Sequence, residues 1–262
     1  MLPFETEVAQ IYDEIGAHYG ETIDQFQSLP AANQYRKLYE LTESYVAPGS
    51  AVLDWGCGRG HFSYYLLKRG YRVTAYSLED SPQVFTALSA EERSRLTLVR
   101  GNEAVLLPFP ANSFDAAFSV GVLEHVREVG GTESGSLKEL RRVLSSAGTL
   151  IAYHVPNRLS YIEALARVAY GRRYRHVAES VKFHKFRFGA SNLAALVGDA
   201  GFAMAEFGRY GFLPRNSFNR LPASLRSGRR LTSAVNIADH FLERLFAPVV
   251  QNFYFVARAK EA

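Results

Sequence analysis

Short apolar runs alternate with longer amphipathic stretches through the middle of the chain. The apolar runs predict strands at residues 51–54, 71–77, 96–100, 114–120, 149–154, 202–210 and 252–259. The amphipathic stretches predict helices at residues 61–69, at about 134–144 and at 191–200, with another starting within 82–89. Strands that alternate with helices in this way indicate an α/β fold with a parallel sheet and right-handed crossovers.

The two ends of the chain depart from this alternation. Residues 4–46 carry apolar and aromatic side chains at helical spacing, and Pro48-Gly49 ends that pattern. Residues 157–187 are basic and aromatic, and a turn-rich stretch follows residue 210 before an amphipathic helix at about 232–247. We therefore expect an N-terminal helical cap over 1–46 and a main domain over 47–262, with cap insertions at about 157–187 and 211–250.

The composition narrows the setting. The chain has 262 residues, of which 47% are hydrophobic, enough for one α/β domain with added elements. Cys57 is the one cysteine, so an intramolecular disulfide is excluded and a reducing compartment is favoured. There is no apolar run of about 20 residues and no basic segment ahead of an apolar one at the N-terminus, so we expect a cytoplasmic protein.

The net charge of +4 is unevenly distributed. Residues 1–150 carry 13 Lys/Arg and 19 Asp/Glu, whereas residues 151–262 carry 17 and 7. Arginines cluster at 172, 173 and 175 and again at 226, 229 and 230. A basic half of this kind is either a solvated surface or a field that attracts an anionic partner.

The most informative segment is VLDWGCGRGHFSYYL, residues 52–66, in which a strand leads through Asp54 into Gly56, Gly58 and Gly60 and then a helix. Glycines allow a tight turn and leave room for a ligand against the backbone, and the helix N-terminus adds N–H donors. A dinucleotide fingerprint needs its third glycine one residue later. The pattern D-x-G-x-G-x-G instead resembles the loop of class I methyltransferases that depend on S-adenosylmethionine (SAM).

Three further segments resemble the same family in its order and spacing: LPFPANSFDAAFSVGVLEHV at 107–126, LKELRRVLSSAGTLIAYHVPN at 137–157, and FHKFRFGASNLAALVGDAGF at 183–202. The resemblance implies a Rossmann-like, doubly wound, mostly parallel seven-stranded sheet whose last strand is antiparallel. It implies SAM as cofactor, S-adenosylhomocysteine as product, and methyl transfer of the small-molecule type found in ubiquinone, menaquinone and natural-product biosynthesis.

The resemblance also implies which positions bind the cofactor: Asp54, Gly56, Cys57, Gly58, Gly60, Ser77, Glu79, Gln83, Asn102, Glu103, Gly121 and Val122. Asp54 either contacts the cofactor ammonium or caps the turn, and the amide of Asn102 can accept a hydrogen bond from adenine. The family usually has a carboxylate for the ribose where this chain has Ser77. Either Glu79 replaces it, or Ser77 acts with Gln83, or cofactor binding is impaired.

Transfer to a hydroxyl requires a general base. His154, at the end of the predicted fifth strand, is the first candidate, followed by His184 and His125. Glu124, beside His125, is expected to be a helix-start carboxylate. The sequence contains no Asp/His cluster with metal-ligand spacing, so we expect no metal.

The acceptor is expected to contact the parts outside the common core. Tyr12, Tyr19, His125, Arg172 and Arg173 are the candidates, and their mixture suits a small molecule, glycan or lipid-linked acceptor with negative charge. It also suits peripheral contact with a membrane. We expect O-methylation; the alternatives are C- or N-methylation of a natural product, a SAM-binding protein without catalysis, and a nucleic-acid modifier. The nucleic-acid modifier is the least expected, and the oligomeric state is left open.

Overall fold

A computed structural model describes residues 2–16, 19, 22–78, 82–101, 103, 105–171 and 185–260. Its strands are β1 Ala51–Trp55, β2 Arg72–Ser77, β3 Leu96–Arg100, β4 Phe114–Val120, β5 Leu144–Pro156, β6 Phe202–Tyr210 and β7 Asn252–Ala259. They form a seven-stranded sheet in the order β3-β2-β1-β4-β5-β7-β6. Strands β1, β2 and β3 pair in parallel, as do β4 and β5, while β7 runs antiparallel to β5 and β6. The predicted fold class is confirmed.

The α-helices are α1 Glu5–Ile11, α2 Leu29–Ala32, α3 Arg36–Tyr45, α4 His61–Lys68, α5 Ala90–Ser94, α6 Glu133–Val143, α7 Tyr161–Tyr170, α8 Ala190–Asp199, α9 Ala223–Arg226 and α10 Arg229–Leu245. The chain divides into two compact units. The first contains residues 1–100 and 211–245, and the second contains 101–210 and 246–262. The division into a cap over 1–46 and a main domain over 47–262 stays a prediction.

The N-terminal region is helical, but it is not the continuous helix that the pattern suggests. After α1, Tyr12–Gly16 form one π-helical turn, and 3₁₀ turns at Asp24–Phe26 and Asn33–Tyr35 flank α2. Pro30 lies in the first turn of α2, where its missing N–H is tolerated, and the Ser28 hydroxyl caps this helix by accepting from the Ala31 N–H. The pattern therefore identified the buried face and missed the breaks.

In the first unit, α3 and α4 pack through aromatic side chains. The rings of Tyr39 and Tyr65 are parallel at 3.5 Å, and Phe62 stacks beside Tyr65 at 5.9 Å. All three side chains are buried, as are Leu66 and Leu67 on the same helix. This packing holds α4, and with it the turn that leads from β1 into α4.

Residues 211–245 are fastened to the N-terminal helices of the same unit by buried polar groups. The Arg215 guanidinium donates to Asp239 (2.8 Å), to Asn236 (2.6 Å) and to the Pro30 carbonyl (3.3 Å). Asn236 in turn donates to Asn33 at 2.9 Å. Because a buried charge without partners is costly, this network specifies where α10 lies against the N-terminal helices.

Several other predicted boundaries are wrong in detail. Residues 83–87 form a 3₁₀ turn, and the following helix begins only at α5, where Ser89 and Glu92 form a capping box. β5 begins at Leu144, five residues before the strand predicted at 149–154, and it has a register shift against β4. α7 was not predicted. Within the described residues, no helix is both long and apolar enough to cross a membrane.

Candidate active site

The glycine loop after β1 is held by backbone hydrogen bonds to the end of β2. The N–H groups of Gly56 and Cys57 both donate to the Tyr76 carbonyl, at 2.9 and 3.0 Å, and Gly60 N–H donates to the Cys57 carbonyl at 2.8 Å. Gly56, Gly58 and Gly60 have φ values of 76°, 49° and 78°, which side chains rarely adopt. The loop conformation therefore depends on its glycines.

The three glycines do not have equal surroundings. A Cβ on Gly60 would lie 2.8 Å from the Pro82 Cβ and 3.0 Å from the Phe85 ring, so this glycine is required for packing. A Cβ on Gly58 would meet only the Gly56 carbonyl, at 3.9 Å. Gly58 is exposed as well, so the loop presents an open backbone surface there. An open surface next to a helix N-terminus suits a ligand that approaches the backbone closely.

Asp54 links the end of β1 to the first turn of α4, on the two sides of this loop. Its buried carboxylate accepts from the Ser63 hydroxyl at 2.5 Å, at the N-terminal end of α4. Burial raises the pKa of Asp54 to about 6, although the hydrogen bonds from the Ser63 side chain and backbone oppose that rise. The geometry matches the turn-capping alternative, and direct contact with a cofactor stays a prediction.

The ribose candidates lie after β2. Ser77 is buried at the last position of the strand, and Gln83 is exposed at the start of the 3₁₀ turn. Glu79 lies outside the described residues, so the choice between Glu79 and the pair Ser77 with Gln83 stays open. Tyr19 from the N-terminal segment reaches the same turn, where its hydroxyl lies 2.6 Å from the Thr86 hydroxyl.

A cavity of about 450 Å³ adjoins the glycine loop in the same unit. It is lined by Thr22, Asp24, Gln25 and Arg59, and Arg59 is the exposed loop residue between Gly58 and Gly60. Its volume is within the range of small-molecule sites. Arg59 is not among the site residues predicted from the sequence, although a cation inside such a loop is a visible signal.

His61 is a second residue beside the glycine loop that is not among the site residues predicted from the sequence. Its ring lies 4.6 Å from that of Tyr35 and 5.3 Å from that of Phe26, measured between centroids. Both ring nitrogens are buried and make no hydrogen bond among the described residues. Burial lowers the pKa of His61 to about 4, so the imidazole is neutral at pH 7. Its position directly after the third glycine was the available signal.

Two further candidates, Tyr12 and Cys57, differ in their exposure. Tyr12, in the π-helical turn, is half-buried, and burial followed by the Asp13 charge raises its pKa. Cys57 is buried between the loop glycines. Both residues stay predicted binding positions.

In the second unit, Gly121 follows β4 and forms a corner with Glu124 and His154. Gly121 has φ 67°, and its N–H donates to the Tyr153 carbonyl at 2.9 Å. A Cβ on Gly121 would lie 3.8 Å from both a Glu124 carboxylate oxygen and the His154 Cβ. Val122, beside it, is half-buried and precedes the 3₁₀ helix Leu123–Val129.

Glu124 lies in the first turn of the 3₁₀ helix Leu123–Val129, in agreement with the interpretation as a helix-start carboxylate, and its side chain is buried. It is 2% exposed. Burial raises its pKa to about 8, and the nearby Glu128 charge adds to the rise. A carboxyl group that titrates near pH 8 can donate or accept a proton under physiological conditions.

His154 ends the parallel part of β5 with φ 61°, a conformation in which histidine is enriched but which still needs support. Tyr210 supplies that support, because its hydroxyl accepts from the His154 backbone N–H at 2.9 Å and lies 2.6 Å from Nδ1. The Tyr153 and Tyr210 rings stack at 4.3 Å. If Nδ1–H donates to Tyr210, Nε2 carries the lone pair that a general base needs.

The remaining catalytic and acceptor candidates are less well placed or lie outside the described part. The exposed His125 ring nitrogen lies 3.2 Å from Glu128, one helical turn further along, which is a surface pair. Glu103 is exposed. Asn102, Arg172, Arg173 and His184 lie outside the described residues. In the described part of the chain, no group of three or more His, Cys, Asp or Glu is arranged to hold a metal ion.

Comparison with known proteins identifies what this chain is similar to. Residues 53–152 match the family model described as a methyltransferase domain. A sterol 24-C-methyltransferase of Gibberella zeae is 32% identical over 41% of this chain, but the match spans only 28% of that protein's length. A demethylmenaquinone methyltransferase of Renibacterium salmoninarum is 28% identical over 77% of this chain and 86% of that protein.

Solved structures agree on the fold. The 1,6-didemethyltoxoflavin-N1-methyltransferase of Burkholderia thailandensis, solved with S-adenosylhomocysteine, superposes with a TM-score of 0.58. It is 17% identical, and the match covers 99% of this chain and 91% of that one. A [4+2]-cyclase, SpnF, has a TM-score of 0.55 at 21% identity over 88% and 82% of the two chains.

Proposed function

We propose that this chain, whose methyltransferase domain belongs to the class I family dependent on SAM, transfers a methyl group from SAM to an oxygen atom of a small-molecule acceptor. Three expectations from the sequence are confirmed: the resemblance to methyltransferases and the cofactor by the family match, and the fold class by the observed sheet. The activity of the whole chain, the methylated atom and the acceptor are the proposed part.

The observation that carries the proposal is the cradle at Gly58. The position of its Cβ is open, with only the Gly56 carbonyl oxygen within 4 Å, at 3.9 Å, so the residues present fit a cofactor that lies against the loop. When bound, SAM supplies an electrophilic methyl group on a sulfonium. Methyl transfer then needs mainly alignment and exclusion of water, which a rigid loop can provide.

His154 is the proposed general base for a hydroxyl acceptor. The Tyr210 hydroxyl lies 2.6 Å from Nδ1, and in the tautomer that donates Nδ1–H to this hydroxyl the buried Nε2 is the nitrogen that takes the acceptor proton. Glu124 is the second candidate, because it flanks the same glycine and its pKa is raised to about 8. At pH 7 Glu124 is mostly protonated, so His154 is favoured as the base.

The proposed acceptor carries negative charge. Arg59 supports this, since it faces a cavity large enough for a small molecule and no described carboxylate is paired with it. Asp24 lines the same cavity, which favours an acceptor with a polar group of its own beside the anion. The relatives are named for acceptors as different as a sterol, demethylmenaquinone and malonyl-[acyl-carrier protein], so C- or N-methylation stays the alternative.

A matched pair of glycine variants tests the cofactor site. Gly58→Val should weaken SAM binding by about 100-fold or more, because the side chain fills the cradle. Gly49→Val is the control, since Gly49 also has positive φ (79°) and has no atom within 4 Å of a built Cβ. Each variant should cost about 1–2 kcal/mol of unfolding free energy. Isothermal titration with SAM and S-adenosylhomocysteine gives the affinities.

Equal loss of SAM affinity in Gly49→Val and Gly58→Val would contradict the assignment of the cradle. Turnover is measured separately, with methyl-labelled SAM and an extract, followed by mass spectrometry for a product heavier by one methylene group. Tight SAM binding without any labelled product would favour a SAM-binding protein that does not catalyse. A labelled product whose unmethylated acceptor carries no negative charge would contradict the acceptor class.

A further inference from the structure

Helix α10 is attached to its unit largely by polar side chains. Its buried residues are Thr232, Val235, Asn236 and Asp239, of which three are polar. Asp239 accepts from the N–H groups of Phe212 and Leu213, at 3.0 and 2.7 Å, in addition to its bonds with Arg215. Hydrogen bonds and an ion pair thus attach this helix to the rest of its unit, where an amphipathic helix normally uses its apolar stripe.

An apolar stripe of α10 faces solvent, whereas Val235 is buried and Leu231 and Leu242 are half-buried. Ile237, Phe241 and Leu245 are 56%, 65% and 61% exposed, and their spacing of four residues places them on one side of the helix over successive turns. Single exposed apolar residues are ordinary. Three on one side of a helix whose opposite face is held by an ion pair and hydrogen bonds form an exposed apolar patch.

The charged residues of α10 are also divided between its exposed and its anchored face. Arg230 and Arg244 are exposed and lie at helical positions beside the apolar stripe, whereas the carboxylates Asp239 and Glu243 are on the anchored face. Glu243 accepts there from the Gly211 N–H. The exposed face of α10 therefore combines apolar side chains with cations and has no carboxylate.

We propose that α10 is a docking surface for an anionic lipid membrane and lies in its interface with Ile237, Phe241 and Leu245 inserted. Interfacial helices have this composition, with an apolar stripe bordered by arginines that reach the headgroups. Three apolar residues are too few for a stable protein interface, which buries about 800 Å² on each partner. The proposal is independent of methyl transfer, so binding to vesicles and binding of SAM report on separate sites.

The test is co-sedimentation with vesicles of phosphatidylglycerol and phosphatidylcholine, compared with vesicles of phosphatidylcholine alone. The full chain should bind the anionic vesicles more tightly, and higher salt should weaken that binding. The double variant Ile237→Ser/Phe241→Ser should bind at least tenfold more weakly, because two inserted side chains are lost. Arg230→Ser/Arg244→Ser should lose several-fold, and only on anionic vesicles.

The matched control is Leu165→Ser/Val168→Ser on α7, where two apolar side chains are also exposed, at 61% and 83%. This control should bind vesicles like the unmodified chain. All variants should retain their far-ultraviolet circular dichroism and SAM affinity, and Phe241→Ala serves if the double variant unfolds. Equal vesicle binding by the α10 variants, loss in the α7 control, or a dimer that Ile237→Ser/Phe241→Ser dissociates would overturn the proposal.

Discussion

The glycine loop in the first unit and the Gly121 corner in the second both use glycine at positive φ after a strand, but they differ in what surrounds it. The loop presents main-chain groups, and its carboxylate, Asp54, is buried beneath it. The corner places two titratable side chains, Glu124 and His154, around Gly121. Main-chain groups hold a ligand without changing charge, whereas titratable groups can move a proton. We therefore expect changes in the loop to affect affinity and changes in the corner to affect rate.

The largest effect should come from Gly60→Val in the loop. The substitution combines a positive φ of 78° with contacts of 2.8 and 3.0 Å to Pro82 and Phe85, so both strain and overpacking oppose it. We expect a loss of roughly 3 kcal/mol or more in unfolding free energy and no measurable SAM binding. Urea unfolding and calorimetric titration give these values. Normal SAM affinity in Gly60→Val would show that the loop conformation is not needed for binding.

In the corner, His154→Ala should slow turnover by about 100-fold while SAM affinity changes only a few-fold. Tyr210→Phe removes the hydroxyl that positions the ring and should slow turnover less, by about 10-fold, because the imidazole itself remains. Both are measured with the labelled methyl group and the same extract. Undiminished turnover in His154→Ala would remove this residue as the base and leave Glu124 as the candidate.

The last expected effect is a change in the pH dependence of stability. The folded-state pKa of Glu124, about 8, exceeds its ordinary value of 4.5, so between these pH values the folded chain holds a proton that the unfolded chain has released. The unfolding free energy should therefore fall as pH rises from about 5 to about 8, and Glu124→Gln should make that fall shallower. Asp54 and Glu243, whose pKa values are raised to about 6 and 7, should cause the part of the fall that remains in Glu124→Gln.

Urea unfolding at pH 5, 6.5 and 8 measures this slope. Glu91→Gln is the control, because the Glu91 side chain is 84% exposed and its variant should keep the slope of the unmodified chain. An identical slope in Glu124→Gln would mean that this carboxyl group is not buried in solution.

Local pattern was sufficient for much of the sheet. The predicted spans of β3, β4, β6 and β7 coincide with those observed, because strand length and side-chain alternation are set by neighbours in sequence. The glycine spacing led to the right cofactor class for the same reason. The N-terminal region was misread as continuous, since Ser28 and Pro30 start a new helix inside an unbroken apolar pattern.

The sequence by itself determined the order of strands and helices and the glycine loop, and it predicted the resemblance that the match of residues 53–152 to a methyltransferase domain supports. Each of these depends on residues close together in the chain. Only the tertiary structure decided which groups are desolvated or paired across long separations. In the folded chain Glu124 is buried, and the Tyr210 hydroxyl contacts His154, 56 residues away in sequence. Arg215 forms an ion pair with Asp239, and α10 exposes an apolar stripe on its other side. Burial and long-range hydrogen bonding depend on the folded surroundings of a side chain, and no local pattern contains them.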